Sequence, residues 1–335
     1  MSAELFNQVL QNLKLDAKCV NFYKTSSSNF YDIELGHKTT LNKFSSSVAD
    51  IQFRLRTKNP LFVQILAEEG IIRVQDLKDN SDGFFFSDLI NNSKVKEDNF
   101  ILGKDYYDNI IETNFTLHPH TLIAGATGSG KSVALHNIVC NALLQKNYEI
   151  YLSDAKGVEF EPYYNLPQVK MLVSTFDHTL RMMNIVHSEM EQRFKIIKCF
   201  GGSNYKDISG INPLLVVIDE ISDLILQDKD NKFKELLLKI SQKSRASGIF
   251  IVAATQRPSV DILSGPIKAN FPARIALKTA SVIDSKVILD HVGAENLKGK
   301  GDAIIKNDQY SYTRFKFPFI DPRKILPKLM SDKRI

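Results

Sequence analysis

The stretch HTLIAGATGSGKSV, residues 120–133, decides the fold of this chain. Within it, GATGSGKS at 125–132 is a complete P-loop pattern. Residues 121–124 before the loop are apolar, and a short apolar run predicts a buried strand. Residues 132–144 after the loop place their apolar side chains on one helical face. The glycines therefore lie between a predicted strand and a predicted helix, which is the context that a phosphate-binding loop requires.

The residue types in this loop match the chemistry of nucleotide phosphates. Its glycines let the backbone turn tightly and aim N–H groups at phosphate oxygens, where the helix N-terminus adds partial positive charge. The lysine is predicted to reach the β- and γ-phosphates, and the serine hydroxyl to bind Mg²⁺. An accidental glycine-rich turn is the alternative, and the flanking strand and helix disfavour it. The predicted nucleotide-binding residues are Gly125, Ala126, Thr127, Gly128, Ser129, Gly130, Lys131, Ser132 and Val133.

A second part of the same site follows the continuous apolar run Leu214–Ile218, which predicts a buried strand. Asp219 and Glu220 come directly after it. A carboxylate in this position can hold the Mg²⁺ shell opposite Ser132, and a second one can deprotonate the attacking water. A strand that merely ends in surface acids is the alternative. The P-loop favours the functional interpretation, with Asp219 as a metal ligand and Glu220 as the catalytic base.

Other predicted strands also end in polar residues. Residues 149–152 lead into SDAKG at 153–157, and residues 249–254 lead into TQR at 255–257. Polar groups at the carboxyl ends of parallel strands face the nucleotide crevice, so Gln256 lies where a γ-phosphate sensor belongs. Strands that alternate with helices through short loops predict a parallel sheet covered on both faces.

The part of the chain before the P-loop has the pattern of a small α+β module. Residues 30–35 alternate like a strand, and residues 41–55 have the apolar spacing of a helix. The polar and charged stretch 91–98 predicts a boundary. The expected organisation is a small N-terminal α+β domain over 1–98 and a P-loop domain over 99–335.

The composition is that of a globular protein, without the cysteine spacing of a metal or redox site and without a membrane-spanning stretch. Of 335 residues, 43% are hydrophobic and 24% are charged, as in ordinary globular proteins. Residues 240–300 carry nine lysines and arginines against four acids, which is typical either of a solvated surface or of a face for nucleic acid. The three cysteines have no metal or redox spacing. No apolar run approaches the roughly 20 residues that span a bilayer, and a cytoplasmic location is expected.

Together these motifs resemble one family, the FtsK/SpoIIIE family of DNA translocases. The resemblance covers about 100–305, and its motifs occur in the family's order. They are GATGSGKSV at 125–133, DAKGVE at 154–159, SEMEQRF at 188–194, VIDE at 217–220, ATQRPSVD at 254–261, IKANFP at 267–272, IDSKVILD at 283–290, GAE at 293–295 and GKGD at 299–302. The resemblance implies an α/β fold in which a RecA-like P-loop motor domain follows a small α+β domain.

The family resemblance also implies a function and roles for single residues. It implies a hexameric ring that pulls double-stranded DNA through its centre with ATP, in DNA segregation, transfer, or phage or plasmid genome handling. Lys131, Ser132, Asp219 and Glu220 match the ATPase site, and Gln256 matches the polar sensor. Among more distant positions, Arg245 matches the arginine that completes a neighbouring subunit's site. Arg257 and Lys286 match residues near the pore that contact the DNA backbone.

The sequence departs from the family in a few places. Val282 stands where a basic residue is frequent, and AEEG at 67–70 replaces a Pro-Gly-Lys turn. With no membrane-spanning stretch and no room for a winged-helix module, a short, soluble member is expected. Its partner, a recombinase, a relaxase or another DNA-processing protein, is not identified by the sequence.

Two other functions are compatible with a P-loop. One is a small-molecule kinase or a GTPase, but the chain has no Asn-Lys-x-Asp motif for guanine, and two adjacent acids suit hydrolysis better. The other is a nucleotide-dependent scaffold that binds without moving. Stimulation of ATP hydrolysis by long duplex DNA separates the motor from both alternatives.

Overall fold

The computed structural model describes residues 2–25, 28–78, 84–91 and 98–331. The chain separates into two compact units. One consists of Met1–Gly83 with Tyr106–Asn109, and the other of Phe84–Asp105 with Ile110–Ile335. Most of the predicted boundary segment lies outside the described residues, and the division into folding domains at 98 and 99 stays a proposal.

The described part of the first unit is an antiparallel sheet with three helices. Its strands are ordered β1-β2-β4-β3, and a cluster of buried apolar side chains that includes Phe6, Tyr31 and Phe44 forms its core. The elements are α1 (Ala3–Asn12), β1 (Ala17–Lys24), β2 (Ser28–Leu35), α2 (Leu41–Ser46), α3 (Val48–Leu55), β3 (Phe62–Leu66) and β4 (Ile71–Leu77).

The predicted helical stretch at 41–55 is divided into two helices. The hydroxyls of Ser46 and Ser47 both donate to the carbonyl oxygen of Lys43, at 2.9 and 2.8 Å. Such bonds compete with the backbone bonds that would continue a helix. The helix α2 therefore ends at Ser46, and α3 begins at Val48, after Ser47.

The second unit contains the P-loop. Its helices are α4 (Phe86–Asn91), α5 (Lys131–Leu144), α6 (Phe176–Cys199), α7 (Ile221–Gln227), α8 (Lys232–Lys243), α9 (Gly265–Asn270), α10 (Val282–Leu289) and α11 (Pro322–Ser331). Its strands are β5 (Asn99–Asp105), β6 (Ile110–Asn114), β7 (His120–Ala124), β8 (Glu149–Ser153), β9 (Val169–Val173), β10 (Leu214–Ile218), β11 (Ile249–Thr255), β12 (Ala273–Leu277), β13 (Asp302–Lys306) and β14 (Thr313–Lys316).

The strands that the structure describes in this unit form one sheet in the order β6-β5-β14-β13-β12-β7-β11-β10-β8-β9. From β12 to β9 neighbouring strands are parallel, which confirms the predicted α/β fold. The remaining four strands extend the sheet in antiparallel fashion. The sequence predicted a hairpin from residues 100–104 and 106–111 and a strand at 302–305; β5 and β6 form that hairpin, with its second strand at Ile110–Asn114.

Burial explains why the central strands could be recognised. Every residue of β7, β10 and β11 is buried, so the elements around them cover both faces of the sheet. Apolar side chains are then required at consecutive positions, as in LLVVI and IFIVAAT. Among the described residues, no helix is long and apolar enough to cross a membrane.

Candidate nucleotide site

The candidate site lies at the carboxyl ends of three neighbouring parallel strands. The strand β7 ends in the P-loop, β11 ends in Thr255 before Gln256, and β10 ends before Asp219 and Glu220. Because β11 lies between β7 and β10, the sensor position falls between the phosphate loop and the two acids. The sheet thus brings together residues that are up to 129 positions apart in the chain.

The P-loop has the backbone conformation that its glycines allow. Gly128 and Gly130 have φ values of 76° and 107°, a region that L side chains rarely adopt. The helix α5 begins directly afterwards, at Lys131. The N–H groups of its first turn therefore point out of the helix end, where an anion is stabilised by the helix dipole.

A second loop, residues 299–301, contacts the P-loop through backbone atoms. The N–H of Gly301 donates to the carbonyl oxygen of Ser129 at 2.9 Å. A Cβ on Gly130 would collide with the Gly301 nitrogen, so only a glycine fits there. On the other side, Ala126 N–H donates to the carbonyl oxygen of Lys278 at 2.8 Å. The sequence predicted none of these supports as part of the site.

The charged groups of the site are buried together. Lys131 Nζ lies 2.5 Å from Asp219 Oδ1 and 3.8 Å from Glu220 Oε2, and all three side chains are at most 5% exposed. Burial raises the pKa of Asp219, and the Lys131 ammonium offsets that effect only in part. A lysine held between two buried acids gives the site a cation that can turn to an incoming phosphate.

Glu220 is held by donors on two sides. Its carboxylate accepts the Gln256 backbone N–H at 2.9 Å and the Ser222 hydroxyl at 2.6 Å. The Gln256 side chain in turn accepts from the Thr127 hydroxyl of the P-loop at 2.7 Å. The predicted base and the predicted sensor therefore touch each other and the phosphate loop.

The hydroxyl of Ser132 donates to Glu159 Oε2 at 2.8 Å. Burial alone would raise the pKa of Glu159, but hydrogen bonds from His136 and Ser132 outweigh it and the pKa is lowered. Glu159 lies in the motif DAKGVE, and the sequence predicted no role for it. The only sequence signal was its presence in DAKGVE, because a contact across 27 positions has no local pattern.

The side chains around the P-loop fit a nucleotide phosphate and a divalent cation. The Ser129 hydroxyl is buried and has no hydrogen-bond partner in the part of the chain that the structure describes. A buried donor without a partner is unfavourable, and a phosphate oxygen would satisfy it. Ser132 and Asp219 offer the hydroxyl and carboxylate oxygens that Mg²⁺ prefers when it keeps several waters.

Three predicted site residues lie away from this cluster. Arg245 follows α8, is exposed, and donates from Nε to the Thr116 carbonyl oxygen at 2.9 Å. Arg257 is exposed after β11, and Lys286 is exposed on α10. Among the described residues, none of the three side chains bonds to the P-loop. Their predicted roles involve a second subunit or DNA, and they stay predictions.

Comparison with known proteins places this geometry in context. The profile of the FtsK/SpoIIIE family matches residues 92–213 and 208–260. "DNA translocase FtsK" of Clostridium acetobutylicum is 31% identical over 324 residues, which are 90% of this chain and 42% of that protein. "DNA translocase SftA" of Bacillus subtilis is 31% identical over 344 residues, which are 96% of this chain and 36% of that protein. The chain thus spans less than half the length of these curated relatives.

Two solved structures have a similar fold. The pCW3 conjugation coupling protein TcpA, solved as a monomer form with ATPγS, superposes with a TM-score of 0.69 at 22% identity and covers 97% of this chain and 99% of its own. The cytoplasmic domain of the Thermomonospora curvata type VII secretion ATPase EccC has a TM-score of 0.66 at 21% identity, over 74% of this chain and 34% of its own.

Proposed function

Because this chain belongs to the FtsK/SpoIIIE family and has the fold of a P-loop ATPase, we propose that it hydrolyses ATP to move along double-stranded DNA. The observation that carries the proposal is the buried group of Lys131, Asp219 and Glu220 beside the P-loop. Burying three charged groups costs desolvation free energy, so such a group is weak evidence for a role in stability and favours a role in function.

In this proposal the chain's own residues divide the chemistry between them. Lys131 turns from Asp219 to the β- and γ-phosphates. Glu220 takes a proton from the attacking water, and its bond to the Gln256 N–H keeps the carboxylate directed into the site. Gln256 contacts the γ-phosphate with its side-chain amide, whose oxygen accepts the Thr127 hydroxyl in this structure. Ser132 and Asp219 would hold Mg²⁺, which supplies positive charge to the phosphate oxygens.

DNA is the proposed track because both named relatives are DNA translocases. Arg257 and Lys286 are proposed to contact phosphates, since a motor that moves along any sequence cannot depend on base edges. Replacing either by alanine should weaken duplex binding equally on unrelated sequences. Each replacement should also reduce the salt slope of binding by about one unit. A slope unchanged in both variants would remove these residues from the DNA path.

We also propose that the working form is a homo-hexameric ring, in which Arg245 completes the site of the neighbouring subunit. The exposed guanidinium of Arg245 supports this, because it is bonded through Nε to a carbonyl oxygen and to no carboxylate among the described residues. A guanidinium supplied by a neighbouring subunit can stabilise the charge that develops on the phosphate during phosphoryl transfer.

The test is the rate of ATP hydrolysis with and without long duplex DNA, with Glu220→Gln as the matched variant. We expect a large stimulation by DNA, and for Glu220→Gln retained ATP binding with turnover reduced by at least ~100-fold. Displacement of a protein block from the duplex would then show movement. Hydrolysis that ignores DNA would contradict the motor, phosphoryl transfer to a metabolite would favour a kinase, and binding without turnover would favour a scaffold.

A further inference from the structure

A line of hydrogen bonds runs from the P-loop serine into the core of the second unit. The Ser132 hydroxyl donates to Glu159 Oε2 at 2.8 Å, and His136 Nε2 lies 3.0 Å from Glu159 Oε1. On the far side of the ring, His136 Nδ1 lies 3.0 Å from the Tyr163 hydroxyl. Both oxygens of Glu159 are therefore engaged, and the imidazole is held at both nitrogens.

The position of Glu159 is fixed by the loop that carries it. The buried Asp154 carboxylate accepts three backbone N–H groups of that loop, from Lys156, Gly157 and Phe160, at 2.9 to 3.2 Å. Gly157 has a φ of 69°, which lets the loop double back. The loop thus returns its carboxylate to the first turn of α5, where Ser132 lies.

The imidazole is fixed from the other direction. Ser132 and His136 are four residues apart on α5 and so lie on the same helical face. Tyr163 is fully buried, and its ring lies 5.7 Å from the His136 ring, centroid to centroid. Neither His136 nor Tyr163 has a role in the chemistry proposed above.

The hydrogen bond to Glu159 fixes the direction of the hydroxyl proton of Ser132. A hydroxyl has one proton and two acceptor lone pairs. When the proton of Ser132 is directed to Glu159, both lone pairs remain for a cation on the phosphate side. A ligand held by an outer hydrogen bond binds its metal better, and loss of such a bond typically costs 10–100-fold in metal affinity.

We propose that Glu159 is a positioning residue that orients the Ser132 hydroxyl toward the divalent cation of the bound nucleotide, and that His136 and Tyr163 hold Glu159 in place. The inference rests on the proposed ATPase site but adds three residues to it. Glu220 remains the proposed base, and Glu159 is assigned no proton transfer.

The first experiment measures binding of a fluorescent ADP analogue to the 335-residue chain, in EDTA and during a Mg²⁺ titration. For Glu159→Ala we expect the Mg²⁺ concentration at half-maximal tightening to rise about 10–100-fold, and for Glu159→Gln a smaller rise. The dissociation constant in EDTA should stay within about twofold of the wild type, since phosphate contacts of the loop remain. Glu161→Gln is the matched control, an exposed carboxylate two residues away.

The second experiment tests whether the effect passes through the serine. Ser132→Ala should raise the required Mg²⁺, and adding Glu159→Ala to it should produce little further change. His136→Leu should resemble Glu159→Ala, whereas His136→Gln, which keeps a donor toward Glu159, should recover much of the loss. Thermal unfolding of each variant identifies proteins that fail to fold, and Glu159→Gln, which keeps the side-chain volume, then carries the test.

The outcomes separate this inference from the function on which it rests. If Mg²⁺ does not tighten nucleotide binding by the wild-type chain, the proposed ATPase site itself is wrong. If Mg²⁺ does so but the Glu159 variants titrate like the wild type, the positioning role is overturned. Independent, additive effects of Ser132→Ala and Glu159→Ala would overturn it as well.

Discussion

At the scale of single residues, Lys131 and Asp219 form a buried pair whose two functions can be separated. Lys131→Ala should abolish ATP turnover, because the phosphates lose the side-chain cation of the P-loop. It should also lower the free energy of unfolding by about 3 kcal/mol, since the Asp219 carboxylate is left buried without its partner. Adding Asp219→Asn should restore much of the stability and none of the turnover.

Urea unfolding and ATPase assays on the same samples measure both effects. The matched comparison is Lys239→Ala, which breaks an exposed pair with Glu235 and should change neither quantity measurably. If Lys131→Ala has the same free energy of unfolding as the wild type, Asp219 does not need Lys131 to remain charged in the core.

His120 is a second residue with a measurable consequence. It is fully buried, and burial lowers the pKa of its ring to about 3, against which a hydrogen bond with the Ser241 backbone acts only in part. Its Nδ1 is 3.1 Å from the Ile251 N–H and accepts it, which requires a neutral ring. The unfolded chain binds a proton near the ordinary value of 6.5, so this contribution to stability is complete above pH 6.5 and is lost as the pH falls toward 3.

Between pH 7.5 and 5.5 this one group should therefore remove about 1.4 kcal/mol from the free energy of unfolding. His120→Asn keeps an acceptor for the Ile251 N–H but has no ring that binds a proton. Its free energy of unfolding should therefore fall by about 1.4 kcal/mol less than that of the wild type over the same pH interval. Urea titrations at the two pH values measure the difference. The exposed His178, replaced in the same way, should leave the pH dependence unchanged. Equal slopes for wild type and His120→Asn would mean that His120 is not neutral in the fold.

At the scale of elements, local patterns predicted what local forces decide. The run LLVVI predicted β10 because a strand buried on both faces needs apolar residues in succession. The glycines of the P-loop were recognisable because each needs a backbone conformation that other residues avoid. By contrast, the pairing of β14 with β5 has no local pattern, because it joins residues 315–316 to residues 104–105.

The same distinction applies to the site. Four site residues could be placed together from the sequence, because each follows a recognisable buried strand or loop. They are Lys131, Asp219, Glu220 and Gln256. Glu159 could not, since its partner Ser132 lies 27 positions away and on another element. The loop at 299–301 was also missed as a support, because a backbone bond to Ser129 leaves no side-chain signature.

That support makes a prediction for the P-loop as an element. In Gly130→Ala the new methyl group meets the Gly301 backbone, whereas in Gly128→Ala it meets nothing within 4 Å, although both positions have positive φ. Gly128→Ala should therefore cost only about 1–2 kcal/mol of backbone strain. Gly130→Ala should cost clearly more and should push the two loops apart. Thermal unfolding without nucleotide compares the two, and equal losses would mean that the 299–301 loop moves away freely.

At the scale of the whole molecule, the question is whether one subunit completes the site of another. Arg245 is exposed beyond α8 and does not reach the P-loop of its own chain in the part that the structure describes. A surface cation near a helix C-terminus is also stabilised by the helix dipole, so its location alone is not informative. An arginine that acts across an interface would make ATP hydrolysis at each site depend on the neighbouring subunit. A ring motor needs this dependence if its subunits are to hydrolyse ATP in sequence.

Mixing two inactive variants distinguishes these explanations. Arg245→Ala should bind ATP and fail to hydrolyse it, because the guanidinium stabilises charge that develops only during phosphoryl transfer. When it is mixed with Lys131→Ala, some interfaces pair an intact P-loop with an intact Arg245, and ATPase activity should return. Glu220→Gln mixed with Lys131→Ala is the control. Lys131 and Glu220 belong to the same subunit of each site, so every site in the mixture lacks one of the two residues. Activity should then stay absent at every ratio. Full activity of Arg245→Ala alone, or no recovery in rings shown by native mass spectrometry to contain both variants, would contradict an action of Arg245 between subunits.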